Sequence, residues 1–333
     1  MQKKDIGLLV LILVVGATVA IINPLFLSPI NLANTANLVG LFGLIAIGQG
    51  FVIITGGIDL SVGSVVALLG VLFVDLIVDV AVPWPVAALL MLIAGVVIGL
   101  AHGFLITRLR LQPFIVTLCG LLIYRGIARF YTADATEGFG FGVSFPALEW
   151  LTTGRTLGVP HSFIAMLVIA AFLWMVLHRS VFGRYLYAVG RNEEAARYSG
   201  IPTARVIISA YVICSVLTAI AAIFFAMYTR SISPASHGNF YELYAIAAAV
   251  LGGFSLRGGE GSIIGVVLGT ILLQVLQNLV NLLGIPSSLN FAVMGSVILV
   301  GVIADQRFSD FRTRRAAARS RFDAEAQRKV PAE

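Results

Sequence analysis

One acidic side chain stands inside a glycine-broken apolar stretch: Asp59, in the run Gly56-Gly57-Ile58-Asp59-Leu60-Ser61-Val62-Gly63-Ser64. Paired glycines weaken helix, and an ionisable group at a helix centre in a bilayer costs about 2.5–3.5 kcal/mol by insertion scales. Asp59 must therefore be paired, capping or wet. Asp59 or Ser61 can cap the following helix by accepting from its free N–H groups. Two compatible readings arise: a capped break between helices, and a discontinuous helix beside a substrate path. His102, His161, His178 and His237 are scattered, and no pair has metal-ligand spacing. His102 lies in an apolar run, where a hydrogen-bonded structural imidazole is the expected role, ahead of a proton relay. Cys119 and Cys214 also sit in apolar runs and read as packing residues. No catalytic constellation is visible. The lysines are Lys3, Lys4 and Lys329, so this chain has no G-x-x-x-x-G-K-[ST] phosphate loop. If ATP drives a process here, another polypeptide hydrolyses it.

A second patterned segment is Gly190-Arg191-Asn192-Glu193-Glu194-Ala195-Ala196-Arg197-Tyr198-Ser199-Gly200-Ile201. Asn192 can cap a short helix, with Glu193 and Glu194 in the first turn suiting the helix dipole. Gly200 can end it and Pro202 stops it. Such a helix, about two turns long, lies outside the membrane. It is either a connector resting on the lipid surface or a docking element for another protein, with Ala195, Ala196 and Tyr198 as a closely approachable face.

The elements that must position these residues are membrane spans. The chain has 333 residues, 59% of them apolar and 11% charged, with a mean hydropathy of +0.99. Soluble domains are about 45–50% apolar and about 25% charged, which excludes that class. A bilayer core of about 30 Å needs about 20 helical residues per crossing. Apolar runs place spans at 6–22, 35–54, 62–80, 86–107, 113–131, 161–178, 206–228, 241–254, 262–283 and 289–304. The first is expected to be an uncleaved span, because it ends at Asn23-Pro24 without a small-residue cleavage site.

With ten crossings and the N-terminus inside, 18 of the 22 Lys and Arg fall on the inner side. This is the positive-inside pattern, so the net charge of +6 sets orientation and does not call for nucleic acid. Arg155 and Arg230 fall outside, and Arg125 and Arg129 are expected near the outer end of a span. The segment from Thr132 to Pro160 is expected to be an ordered loop across the outer face. The division expected is a transmembrane domain over 1–305 and a basic tail over 306–333, resting on the anionic leaflet. An internal echo links 51–70 with 249–269, each running from apolar helix through paired glycines (Gly56-Gly57, Gly252-Gly253) into another glycine-spaced apolar helix.

Taken together, GGIDLSVGS, QPFIVTL (112–118) followed by Arg125-Gly126, GRYLYAVGRNEEAARYSGI (183–201) and YELYAIAAAVLGGFSLRGGEGSIIG (241–265) resemble the ribose-type permeases of bacterial ABC sugar importers. The resemblance covers nearly the whole chain. It implies an all-α polytopic inner-membrane protein of about ten helices with both termini cytoplasmic. It implies no enzyme and no cofactor in this chain, with ATP and Mg bound by a separate ATPase subunit. Its further partners would be a second permease subunit, an extracytoplasmic sugar-binding protein and the lipid bilayer. It makes Asn192 to Gly200 the helix coupled to the ATPase. The substrate path would involve Gln49, Gly56, Gly57, Asp59, Ser61, Gly252 and Gly253. Gln49 stands where relatives often carry Met, as a selectivity or a packing difference. The competing readings are an ion-coupled transporter without an ATPase, for which the spans hold few acidic residues, and a membrane enzyme, for which no cluster is present.

Overall fold

The structure, a computed structural model, describes residues 3–140, 142–286 and the isolated positions 289, 292, 295, 296 and 299. It divides into two units, Met1–Ile285 and Pro286–Glu333. The span expected at 289–304 and the basic tail lie outside the described residues, apart from those isolated positions.

The first unit is built of helices: α1 (Lys3–Ile22), α2 (Pro29–Ile54), α3 (Val62–Val78), α4 (Trp84–Arg108), α5 (Pro113–Tyr131), α6 (Pro146–Thr153), α7 (His161–Arg179), α8 (Val181–Arg191), α9 (Glu193–Tyr198), α10 (Thr203–Thr229), α11 (Tyr241–Leu251) and α12 (Ile263–Leu282). Seven of these, α1, α2, α4, α5, α7, α10 and α12, are long and apolar enough to cross a membrane. The remaining two expected spans in this unit are shorter: α3 has 17 residues and α11 only 11. At 1.5 Å per residue α11 is about 16 Å long, half a bilayer core. Both adjoin a glycine break, at Gly56-Gly57 and Gly252-Gly253. The chain is thus a mostly helical, multi-pass membrane protein.

Helix α10 packs against α2, α3 and α4 in the centre. Its approach to α4 depends on absent side chains. Gly95, Gly99 and Gly103 recur every four residues on one face of α4. A Cβ on Gly99 would stand 2.5 Å from Val212 Cα, and one on Gly103 2.7 Å from Ile208 Cα. Small residues at this spacing let helix backbones touch, which is how helices gain packing energy where lipid supplies no hydrophobic drive between them.

The end of the bundle opposite α9 carries an ordered cap, in line with the expectation for 132–160. Strand β1 (Glu137–Gly138) and a β2–β3 hairpin (Arg155–Thr156, Val159–Pro160) flank α6. β1 pairs antiparallel with β4 (Ser231–Ile232). Arg230, which ends α10 in a left-handed conformation (φ 60), fastens the cap to the bundle. Its guanidinium donates to Glu149 Oε1 at 2.7 Å and to Val143 O at 2.6 Å, and it stacks on Phe139 at 4.9 Å. Arg125, near the end of α5, donates to the carbonyls of Pro234 and His237, at 2.6 and 2.7 Å, and so holds the loop leading into α11.

The cap supports a prediction. The Phe145 N–H, aided by Arg230, holds the Glu149 carboxyl below the ordinary glutamate range, which is about 4.3. A carboxyl depressed on folding contributes stability above its unfolded pKa and loses it as pH falls through the folded one. Arg230→Ala is therefore expected to speed proteolysis of 137–145 severalfold at neutral pH. Acidification below the ordinary glutamate range should do the same to the parent protein. Equal cleavage rates in parent and variant at pH 7 would rule the clasp out.

Candidate functional site

The break after α2 is closed by backbone hydrogen bonds. Gly57 N–H donates to Val52 O at 3.2 Å and Gly56 N–H to Ile53 O at 2.9 Å, with Gly56 at φ +83. This is a Schellman closure, and its left-handed position suits glycine. α11 ends the same way: Phe254 N–H bonds Ala249 O, Gly253 N–H bonds Val250 O, and Gly253 has φ +87. The sequence echo is thus also a geometric one, with Gly56 equivalent to Gly253. Gly252 serves packing: a Cβ there would overlap the Gly265 carbonyl of α12.

Asp59 follows the first break and is 1% exposed. Its Oδ1 accepts from Ser61 N at 2.8 Å and from Ser61 Oγ at 2.6 Å. Neither Asp59 nor Ser61 caps α3 with its side chain; Asp59 closes the turn just before the helix instead, as Asp does in Asx turns. Gln49 is wholly buried. Oriented to suit the groups it faces, its amide donates to Asp59 O at 3.2 Å and accepts from Asp59 N at 3.0 Å. A methionine could not make this pair. Thr117 of α5 donates to Ile58 O at 3.1 Å. The break is held from both sides.

Asp59 Oδ2 points toward His102 Nδ1 of α4, 3.7 Å away, too long for a hydrogen bond. His102 Nε2 meets Tyr124 Oη of α5 at 3.0 Å. The imidazole is thus hydrogen-bonded, as expected, with one nitrogen left over. Tyr211 of α10 presses its hydroxyl on Gly57, where a Cβ would stand 2.6 Å from it. Sequence reasoning missed Tyr124 and Tyr211, because nothing in a lone tyrosine within an apolar run marks it.

The segment 190–201 forms the expected helix. Asn192 Oδ1 accepts from Ala195 N at 2.9 Å, α9 runs from Glu193 to Tyr198, and Gly200 at φ +82 ends it with the same closure. Its faces differ from expectation. Ala196 is buried against the bundle, whereas Glu193, Glu194, Ala195 and Tyr198 are exposed, Tyr198 to 85%. Ala196 belongs to the seat of the helix and not to its free face.

The two motifs meet. Gly259 N–H donates to Ile54 O, the last residue of α2, at 2.9 Å. Gly190, near the end of α8, lies so close that a Cβ would overlap Ile54 O and Gly259 N, and a Cβ on Gly258 would stand 2.9 Å from Gly56 N. Both glycine breaks and the lead-in to α9 therefore share one contact. Beside it lies a cleft of about 650 Å³, lined by Thr55, Gly56 and Gly57, by Thr107 of α4, by Arg110 and Gln112 of the α4–α5 turn, by Glu193, Glu194 and Arg197 of α9, and by Tyr211 of α10. Among the described residues no group of three or more His, Cys, Asp or Glu stands where it could hold a metal ion.

Broken helices meeting inside a multi-pass helical bundle are a recurrent feature of transporters. The chain belongs to the family described as branched-chain amino acid transport system / permease component, which matches residues 31–302. It is thus a transport permease and not an enzyme, and its ATPase is a separate subunit. Ribose import permease protein RbsC of Bacillus subtilis (strain 168) is 41% identical over 311 residues, 93% of this chain and 94% of that protein. The protein of the same name in Escherichia coli K12 is 39% identical over 306 residues, 92% of this chain and 94% of that one. The galactofuranose transporter permease protein YtfT of that strain is 35% identical over 285 residues, 85% of this chain and 81% of that protein. No solved structure matches the chain significantly.

The contact geometry predicts a graded series. Gly190→Ala and Gly252→Ala force a methyl into backbone and are expected to cost at least about 2 kcal/mol of stability, at the upper part of the overpacking range. Gly126→Ala meets nothing within 4 Å and should stay within about 0.5 kcal/mol of the parent. Unfolding of the purified variants in detergent measures both. Equal stability of the Gly126 and Gly190 variants would dissolve the shared contact.

Proposed function

We propose that this chain is the membrane-spanning subunit of an ATP-driven importer of a monosaccharide, ribose or a related pentose or hexose. It crosses the bacterial inner membrane ten times with both termini in the cytoplasm, over a transmembrane domain 1–305 followed by a basic tail 306–333. It binds neither ATP nor Mg; these belong to a cytoplasmic ATPase that grips α9. A second permease subunit, identical or similar, and an extracytoplasmic sugar-binding protein complete the assembly.

The sugar class follows the relatives, whose names specify ribose import and galactofuranose transport. The mechanism rests on one observation: Gly190, which leads into α9, is seated on the end of α2 at the break. A push on α9 reaches Ile54, Gly56 and Gly57 through backbone alone, without a compressible side chain between. Asp59, Ser61 and Gln49 then set where the segment after the break sits, and Gly252 and Gly253 do the same for the second break. The exposed face of α9, with Glu193, Glu194, Ala195 and Tyr198, is the surface offered to the ATPase, while Asn192 and Gly200 fix its length.

Two substitutions test this. Ala195→Trp adds bulk on the free face and is expected to cut coupled sugar uptake at least tenfold, a loss of about 1.4 kcal/mol or more, while permease abundance stays normal. Ala196 is buried, so Ala196→Trp should instead lower abundance. Normal uptake by the Ala195 variant would show that α9 is not the coupling element. Asp59→Asn should lower uptake of radiolabelled ribose more than it lowers folded protein; normal uptake at matched expression would make Asp59 a dispensable cap.

A further inference from the structure

The chain between α10 and α11 leaves the cap and turns back along α3. From Ser231 to Phe240 it is non-helical, and it forms a strap on that helix. At the cap end Ile232 packs on Gly70, where a Cβ would stand 3.1 Å from its side chain. At the far end Gly238 meets Gly63 so closely that a Cβ on either would overlap the carbonyl of the other. Gly63 and Gly70 lie about 10 Å apart along α3, at 1.5 Å per residue. The strap thus follows about two turns of α3 and stops at its first turn, just beyond Asp59 and Ser61. One end is joined to the cap, where Ser231 and Ile232 pair with Gly138 and Glu137. The other end rests on the helix that leaves the first break.

The two edges of the strap differ. Ile232, Pro234 and Gly238 are buried against the bundle, whereas Ala235, Ser236 and Asn239 are exposed. The exposed surface of α5 carries Leu122, Ile123 and Ile127, as a lipid-facing helix should. The exposed edge of the strap offers small and polar side chains on non-helical backbone. Irregular backbone is tolerated within a membrane protein where it is covered by protein or lines water, and not where it meets lipid. The strap also holds itself in shape: Ser233 N–H donates to His237 Nδ1 at 2.7 Å, and His237 N–H to Ser233 O at 3.0 Å. The Phe225 ring of α10 meets the His237 ring edge-on at 5.5 Å. Arg125 ties this closed turn to α5. One nitrogen, Nη1, donates to both Pro234 O and His237 O, and α5 in turn packs along α3.

We propose that the strap lines a water-filled recess on the cap side of the bundle, and that Arg125 is the positioning residue that keeps it on α3. The strap is then the mechanical link between the first break and the cap. Displacement of the break moves α3, Gly63 carries Gly238 with it, and the β4–β1 pair passes the movement to the cap. Without Arg125 the strap parts from α3, and the two ends of the protein move independently. The proposal rests on the permease reading above and supplies its connection to the cap.

The test uses the full-length permease in nanodiscs, in a Cys119→Ser background, with one reporter at a time. Ser236→Cys, on the exposed edge, should react with a membrane-impermeant maleimide. Ser233→Cys, on the half-buried part, should react slowly in the parent and at least about tenfold faster with Arg125→Gln, the loss of bonds from a charged donor. Arg125→Lys keeps the charge and should fall between the two; it carries the comparison if Arg125→Gln does not fold. An unreactive Ser236→Cys overturns the proposal, as do equal Ser233→Cys rates in the parent and the Arg125 variants. Uptake of D-ribose and D-galactose by cells, per folded permease, gives the second readout. Arg125→Gln should lower the maximal rate severalfold and leave the half-saturating concentration unchanged, with part of the rate restored by Arg125→Lys. A raised half-saturating concentration would make Arg125 a solute contact, and a loss of rate only in step with folded protein would make it merely structural. Either result overturns the positioning role. Labelling needs no sugar, so it decides the strap even if the parent takes up neither sugar, a result that removes the sugar reading instead.

Discussion

The carbonyl of Ile54 is where this protein is held together mechanically. It ends α2, accepts from Gly259 N–H at 2.9 Å, and is covered by Gly190, which has no side chain to interpose. In water a helix end can leave its last carbonyls to solvent. Ile54 is wholly buried in protein, where that choice does not exist and an unmade bond costs about 1–3 kcal/mol. The broken backbone must be completed by other backbone, and only glycine allows the approach. Once that contact is fixed, the position of α9 and both breaks are set by it.

A second constraint is the burial of Asp59. A carboxylate in this setting is tolerable only with dedicated partners. The sequence around it supplies them: Ser61 from two residues on, Gln49 from the preceding helix, and His102 from α4, itself oriented by Tyr124. Most of these contacts hold the backbone of the break or one oxygen of the carboxylate. The other oxygen faces the His102 imidazole at 3.7 Å. The carboxylate is thus held on one side by the turn that follows it and on the other by α4.

Much of this is legible in the sequence. Apolar runs locate nine helices of the first unit within a few residues, because lipid imposes length and composition together. The caps at Asn192 and Gly200 are legible because capping chemistry is local. What escapes is everything that depends on neighbours distant in the chain. Ala196 and Ala195 look alike in sequence, and only the packing of α9 on the bundle separates the buried one from the exposed one. The carbonyls of Pro234 and His237 that Arg125 holds lie more than a hundred residues along the chain. The four-residue spacing of Gly95, Gly99 and Gly103 is present in the sequence, but its partner surface on α10 is not.

The two glycine breaks share a closure and differ in the residues after it, and that difference separates their mechanical roles. After Gly56 the chain carries Asp59 and Ser61 into a buried polar site. After Gly253 it carries Arg257, Gly258, Gly259 and Glu260, and Arg257 and Glu260 are exposed. Ser262 caps α12 with its own hydroxyl, as Ser61 does not for α3. The second break is therefore complete in itself and presents backbone, through Gly259, to the end of the first. The first borrows support from His102 of α4, Thr117 of α5 and Gly259 of the second break. Duplicated elements in a transporter need not act alike. Here one copy closes on its own residues and the other on residues of its neighbours.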